Sequence, residues 1–370
     1  MIFRSISKKP ILLVGSGVRA AKAESLLHDF MKKTNIPVLT TMNAVDLVQG
    51  EDHLGFIGTY GNRCANILLN ESDFIISIGA RLGLRQIGKK KEAFAPNAEL
   101  VRVDIDQYEL GRIIKDDEKQ YNMDASVFLE LLLREDIADY SSWKKRCKEL
   151  SDLLDGYDDV VGNNCIKEIA KVLPENPVVA VDVGQHECWV AQSLLIRGEE
   201  GRILIGGGYG AMGSALPFAI GAAYAQQGTP IFCISGDGGM QMNIQELEVI
   251  KRDKLPIKIF IINNETLGKI SEIQHKGYGD RFAQTTKDSG YTVPNFEAVA
   301  TAYGIRAARV TELEKICSYG EWMEDNEACL LNIMVPDANL LIPKLKWETF
   351  CDDPPLDEAM SQEVEKVIRD

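Results

Sequence analysis

Residues 230–268 read PIFCISGDGGMQMNIQELEVIKRDKLPIKIFIINNETLG. The apolar run Ile231–Ile234 has the character of a buried strand, and a second apolar run, Ile257–Ile262, ends in Asn263-Asn264. Between them, Gly236-Asp237-Gly238-Gly239 predicts a turn, too glycine-rich for helix or strand. Asn243 with Glu246 forms a capping pair expected to open a helix over roughly 244–252, and Pro256 lies past its end. Strand, helix, strand in this length is a βαβ unit, whose right-handed crossover makes the strands parallel. If the strands are neighbours, Asp237 and Asn264 leave the sheet at its carboxyl edge, where α/β folds bind ligands.

A carboxylate, an amide oxygen and a nearby backbone carbonyl make a hard oxygen site with too few protein ligands to enclose Mg²⁺. That ion fills its six-fold shell with phosphate and water. Glycines let a phosphate approach the backbone, and a helix start offers it N–H groups. The stretch therefore points to a Mg²⁺-diphosphate site. An ordinary nucleotide-fold unit with an unrelated Asn pair is the plainer alternative.

GDG, then 24 residues, then NN resembles the thiamine diphosphate fingerprint of enzymes such as acetolactate synthase. The resemblance implies two Rossmann-like α/β domains with parallel sheets flanked by helices. It implies residues 1–155 as a central, flavin-domain-like unit, 163–340 as the diphosphate-binding domain and 341–370 as a tail that folds over the cofactor mouth or is partly disordered. It further implies thiamine diphosphate and Mg²⁺ as cofactors, with Asp237, Asn264 and the Thr266 carbonyl on the metal and Gly236, Gly238, Gly239, Leu267 and Gly268 around the diphosphate.

Two further stretches fit the resemblance. Gly184-Gln185-His186 follows the expected strand 178–183, and the matching family residues approach the diphosphate, so Gln185 and His186 are carried as contacts. A lone histidine is otherwise more often structural. In Gly206-Gly207-Gly208-Tyr209-Gly210-Ala211-Met212-Gly213, the resemblance makes Gly210, Ala211 and Met212 cofactor contacts. Met212 is the bulky apolar prop that bends the cofactor into a V; without the resemblance, core packing would be its expected role. The family's methionine after Gly268 and its tryptophan a few residues on are replaced here by Lys269 and Ile273, so the substrate does not follow from the resemblance.

Nearer the amino terminus, ILLV (11–14) precedes Gly15-Ser16-Gly17-Val18-Arg19-Ala20 and a helix expected to run to about Lys33. This is the GxGxxA context of dinucleotide binding, but Thr40-Thr41 stand where an acidic residue should close the next strand. A glycine turn for tight packing is thus the stronger reading than NAD. GFIGTYGN (55–62), GARLGLR (79–85) and VDID (103–106) sit in the order of the family's central domain. In flavin-containing members that domain holds FAD, and Gly15, Gly17, Thr41, Met42, Arg81, Asp104 and Asp106 would lie near it. The acidic residue that follows the GxR element in those members is replaced by Gly83-Leu84.

The chain has 370 residues, 45% hydrophobic and 26% charged, with net charge −14. Its size suits two domains with sizeable cores. Its charge disfavours nucleic-acid or anionic-membrane surfaces but not a diphosphate neutralised by Mg²⁺. Eight scattered cysteines without CxxC suggest free thiols in a reducing cytoplasm. No signal peptide or membrane-length apolar run is read.

The resemblance spans the last two of the family's three domains. The pyrimidine-binding domain, whose glutamate activates the cofactor, is expected on a separate domain or chain, with homo-oligomer formation. This chain alone is then expected to be inactive. The complete reaction implied is decarboxylation of a 2-oxo acid, pyruvate foremost, and addition of the fragment to an acceptor carbonyl. Alternatives are a non-catalytic cofactor-binding or assembly subunit and an NAD-dependent oxidoreductase.

Overall fold

A computed structural model describes residues 7–336 and 340–369. The chain divides into two compact units, one formed by residues 7–158 with 342–369 and the other by 159–336 with 340–341.

In the first unit, β1 (Pro10–Val14), β2 (Val38–Thr40), β3 (Phe74–Ile78), β4 (Glu99–Asp104) and β5 (Lys119–Asn122) pair in the order β2-β1-β3-β4-β5. Every neighbouring pair is parallel. β1 and β3 are buried throughout, as expected of strands covered on both faces. β5, KQYN, is a largely exposed edge with no apolar signature, and nothing in those four residues hints at a strand. The helix expected after GxGxxA is interrupted. Gly17–Ala20 forms one turn, Lys22 takes φ +54°, and a second helix runs from Glu24 to Thr34.

Residues 342–369 are part of this unit. An antiparallel hairpin, β12 (Lys344–Lys346) with β13 (Cys351–Asp353), precedes the helix Glu358–Arg369. Leu345, Phe350, Val364 and Ile368 enter the same core as Trp143, Cys147 and Leu150.

In the second unit, β6 (Val178–Val181), β7 (Arg202–Ile205), β8 (Ile231–Gly236), β9 (Ile257–Asn263), β10 (Arg306–Val310) and β11 (Cys329–Met334) give a parallel sheet ordered β10-β11-β9-β8-β6-β7. From β6 the chain goes outward to β7, then returns to place β8 on the other side of β6. The strand order therefore reverses there, and the crevice at the carboxyl ends of β6 and β8 is where such sheets bind ligands. Both sheets, flanked by helices, make the chain α/β, as the sequence implied.

Two local expectations around this crevice are corrected. Gly236–Gly239 is not a free turn: a helix, Asp237–Met242, starts directly from β8. Asn243 caps no helix. Residues 244–246 form a 3₁₀ turn and the α-helix runs only from Leu247 to Arg252. The Asn243 amide instead donates to the Gly213 carbonyl at 2.7 Å.

Candidate functional site

The crevice is organised by Asp182, a fully buried acid just past β6. Its Oδ1 accepts from the backbone N–H groups of Val183 (2.9 Å), Gly213 (2.9 Å) and Ser214 (3.2 Å). Its Oδ2 accepts from Gly213 N–H (2.9 Å) and the Ser235 hydroxyl (3.1 Å). One carboxylate thus ties the glycine loop 206–214 to the ends of β6 and β8. The approach demands a glycine at 239, where a Cβ would lie 1.9 Å from Asp182 Oδ2. With Asn243 holding the Gly213 carbonyl, the loop is fixed from two sides and Met212 stands at its rim, partly exposed. Sequence reasoning passed over Asp182. Its signal was a single acid closing the apolar run VVAV.

A cavity of about 270 Å³ opens at this edge. Gln185, His186, Gly210 and Met212 line it, with Gly236, Asp237, Gly238 and Gly239 from the end of β8 and Asn264, Thr266, Leu267 and Gly268 from beyond β9. Of the thirteen candidates, Ala211 alone is absent from the lining. Gln185 and His186 begin a helix, Gln185–Ser193, whose nine residues are all buried. Sequence reasoning had not placed a helix there. Close packing explains several glycines. A Cβ at Gly238 would come within 2.6 Å of Leu267 and 3.2 Å of Met212, and one at Gly268 within 1.9 Å of Gln185 Oε1.

β8 and β9 pair directly, Gly236 opposite Ile262, so Asp237 and Asn264 leave the sheet side by side. Asp237 is buried; Oδ1 accepts from Gly238 N–H at 2.8 Å, and Oδ2 has no hydrogen-bond partner among the described residues. Burial pushes its carboxyl up to about 7, opposed by the nearby N–H groups of Gly238, Thr266 and Glu265. The Asn264 amide donates to Gln185 Oε1 at 3.4 Å. Among the described residues no group of three or more His, Cys, Asp or Glu could hold a metal. An unpartnered buried carboxylate oxygen next to an amide and a backbone carbonyl suits a hard divalent ion whose remaining oxygens come from a ligand and water.

His186 is buried with Nε2 lacking a partner. Burial brings its pKa down to about 4, with the Lys269 charge reinforcing this and Asp182 opposing it. The ring is therefore neutral at pH 7. Lys269, Trp189, Val183, Ile262 and Ile270 also line the cavity, none of them a sequence candidate. Tyr291, not a sequence candidate either, lies behind this edge: its buried hydroxyl would be 3.2 Å from a Cβ at Gly238 and has no hydrogen-bond partner of good geometry among the described residues.

In the first unit the GxGxxA turn is packed shut. Gly15 N–H donates to Ile78 O (2.9 Å) and Gly17 N–H to Gly79 O (3.0 Å). A Cβ at Gly15 would lie 2.1 Å from Gly79 O, and one at Gly17 2.6 Å from Gly79 Cα. The N–H groups a dinucleotide phosphate would need are already engaged. Of the residues named for a flavin, Asp106 caps the turn Gln107–Leu110, Asp104 accepts from Asp106 N–H at 2.9 Å, and the exposed Arg81 pairs with Glu109 at 2.9 Å. Thr41 is buried, its N–H on the Val14 carbonyl, and Met42 opens a 3₁₀ turn.

Residues 182–332 match the thiamine pyrophosphate enzyme C-terminal TPP-binding domain, and residues 5–132 the thiamine pyrophosphate enzyme central domain. The chain is 32% identical over 320 residues to the acetolactate synthase isozyme 2 large subunit of Escherichia coli (strain K12), covering 84% of this chain and 56% of that protein. It is 30% identical over 359 residues to the acetolactate synthase large subunit of Lactococcus lactis, covering 94% and 61%. With the acetolactate synthase large subunit of Cyanidium caldarium the identity is 36% over 328 residues, covering 82% and 54%. The chain thus spans between 54% and 61% of the length of these relatives.

Proposed function

The chain belongs to the thiamine pyrophosphate enzymes, carrying their central and C-terminal cofactor-binding domains, and from that premise we propose that the cavity beside Asp237 holds thiamine diphosphate with Mg²⁺. The observation that carries this reading is the pairing of β8 with β9, which brings Asp237 and Asn264 to one rim. Asp237, the Asn264 amide oxygen and the Thr266 carbonyl hold the ion. Gln185, His186, Gly236, Gly238, Gly239, Leu267 and Gly268 surround the diphosphate, and Gly210, Ala211 and Met212 meet the thiazolium and pyrimidine rings. The cofactor, when bound, supplies the carbon nucleophile that cleaves a 2-oxo acid and joins the fragment to an acceptor carbonyl, the acetolactate synthase-like reaction. The residues of this chain orient the cofactor, exclude water with the apolar walls and, at Met212, brace its bent shape.

No glutamate lines the cavity among the described residues. The carboxylate that activates the pyrimidine ring therefore comes from a pyrimidine-binding domain or another chain. The partly exposed apolar residues Met212, Phe218, Tyr224 and Met242, with the fully exposed Tyr209, offer that partner a contact surface, and the chain by itself turns over little or no 2-oxo acid. The closed GxGxxA turn disfavours a dinucleotide phosphate there, nicotinamide or flavin, leaving Thr41 and Met42 beyond β2 as what remains of the flavin expectation. The free, mostly buried thiols suit a reducing cytoplasm. No helix among the described residues is long and apolar enough to cross a membrane.

Titration calorimetry of the purified chain with thiamine diphosphate, with and without Mg²⁺, and with NAD tests the reading. Mg²⁺-dependent binding of thiamine diphosphate and none of NAD is expected. Binding of NAD alone overturns it.

A further inference from the structure

We propose that Tyr291 is a positioning residue for the divalent ion: its hydroxyl donates to the Asp237 carboxylate and sets the orientation in which that carboxylate receives the metal. The proposal rests on the thiamine diphosphate and Mg²⁺ reading. Two side-chain oxygens beside Gly238 are buried without a well-placed partner among the described residues, Asp237 Oδ2 and the Tyr291 hydroxyl. The hydroxyl packs on Gly238, where a Cβ would lie 3.2 Å from it, and the polar side chains acting on it are Asp237 and Gln241. The Gln241 amide is turned to the Asp237 backbone carbonyl at 3.4 Å. A tyrosine hydroxyl has one proton to give, and an ionised carboxylate only accepts. Donor and acceptor thus stand side by side in a place shielded from water.

The chain takes trouble to put the hydroxyl there. Residues 286–289 form a capping-box turn, and Tyr291 N–H donates to the Thr286 carbonyl at 3.0 Å. Between them Gly290 takes φ +101°, and a Cβ there would lie 2.8 Å from Gln284 Nε2, so the turn calls for glycine. Leu267 N–H donates to the Thr285 carbonyl at 2.9 Å. The turn that presents Tyr291 is therefore fastened to the strip carrying Asn264 and Thr266, the other two residues assigned to the ion. The backbone N–H groups of Gly238, Thr266 and Glu265 approach the Asp237 carboxylate, and Tyr291 approaches it from a side chain. Carboxylates that hold metals are themselves oriented by hydrogen bonds from neighbouring groups, and losing one such bond costs about tenfold to a hundredfold in metal affinity. A purely packing role for the ring would be met equally by phenylalanine.

The test uses the full chain and its Tyr291→Phe variant, which removes the hydroxyl and keeps the ring. Calorimetry measures thiamine diphosphate binding over a range of Mg²⁺ concentrations, and urea unfolding compares the two proteins without ligand. Tyr291→Phe should need about tenfold to a hundredfold more Mg²⁺ for half-maximal binding. It should regain binding at saturating Mg²⁺ and unfold at the same urea midpoint or a higher one, since the hydroxyl it lacks has no well-placed partner to lose. An unchanged Mg²⁺ requirement overturns the proposal. So does a lowered urea midpoint or a failure to fold, which assigns the hydroxyl to stability. A loss of binding that saturating Mg²⁺ does not restore also overturns it, assigning the hydroxyl to the diphosphate. If the unaltered chain binds no thiamine diphosphate at any Mg²⁺ concentration, the cofactor reading fails and the proposal falls with it; an indifferent variant beside an unaltered chain that binds sinks the proposal alone.

Discussion

Replacing Asp182 with alanine should disconnect the glycine loop from the sheet. The carboxylate receives backbone N–H groups of Val183, Gly213 and Ser214 and the hydroxyl of Ser235, all between 2.9 and 3.2 Å. Gly213 is buried, and its N–H would be left without an acceptor. Stranding a buried donor costs about 1–3 kcal/mol, and the partly buried N–H groups of Val183 and Ser214 lose less, because water can reach them. Relief from desolvating a lone carboxylate offsets part of the loss. A net destabilisation of about 3 kcal/mol is expected for the second unit. Asp182→Asn keeps an oxygen at the Oδ1 position for the three N–H groups, but its NH₂, which Ser235 can accept from, also faces the Gly213 N–H that lies 2.9 Å from Oδ2. That variant should lose less than the alanine variant, the charge assistance and this donor–donor contact being its cost. Urea unfolding followed by tryptophan fluorescence measures both. Calorimetry should show thiamine diphosphate affinity falling more than about tenfold in the alanine variant, because Met212 is no longer held in place. An alanine variant that unfolds with the same midpoint and binds the cofactor as tightly as the unaltered chain would refute the reasoning.

Three further outcomes are expected. Asp237→Asn should abolish Mg²⁺-dependent thiamine diphosphate binding in calorimetry yet raise the unfolding midpoint of the unloaded protein, since burial disfavours that carboxylate and holds it up to about 7; a lowered midpoint contradicts this. Gly268→Ala should weaken cofactor binding by about tenfold or more, because its Cβ would lie 1.9 Å from Gln185 Oε1 and displace that side chain; unchanged binding in calorimetry counts against Gln185 as a contact. Asp352, which accepts from the Asn66 amide at 2.9 Å, is pushed up by burial to about 7. The folded state then keeps its proton to about pH 7 while the unfolded chain releases it near pH 4, so this group's stabilising contribution is present below about pH 4 and lost as pH rises to 7. The urea midpoint of the unaltered chain should fall relative to Asp352→Asn between pH 4 and 7, and parallel curves would contradict the assignment.

The second sheet was legible because β8 and β9 are unbroken apolar runs, the signature of strands buried on both faces. The meeting of Asp237 and Asn264 at one edge followed from the strand–helix–strand pattern. Gly236–Gly239 misled because glycine disfavours helix. Tertiary contact overrode propensity, since Asp182 and Leu267 leave no room for side chains at 239 and 238. Asn243 misled for a related reason, its amide being drawn to the Gly213 carbonyl. Asp182 could not be found by periodicity, because Gly213, Ser214 and Ser235, which it holds, lie far along the chain. The last residues looked like a loose tail because prolines and acids mask an amphipathic helix whose Val364 and Ile368 are buried in the core of the first unit.

The helix that begins at Gly268 leaves the sheet at the last of the proposed cofactor contacts. Lys269, Ile270 and Ile273 hang from it, while the glycine loop is secured elsewhere, by the Asp182 carboxylate. A lineage could therefore rewrite one short helical turn and acquire a new preferred reactant while the vitamin's anchorage stayed intact. Chemistry and selectivity are in this way open to separate tinkering within one small domain.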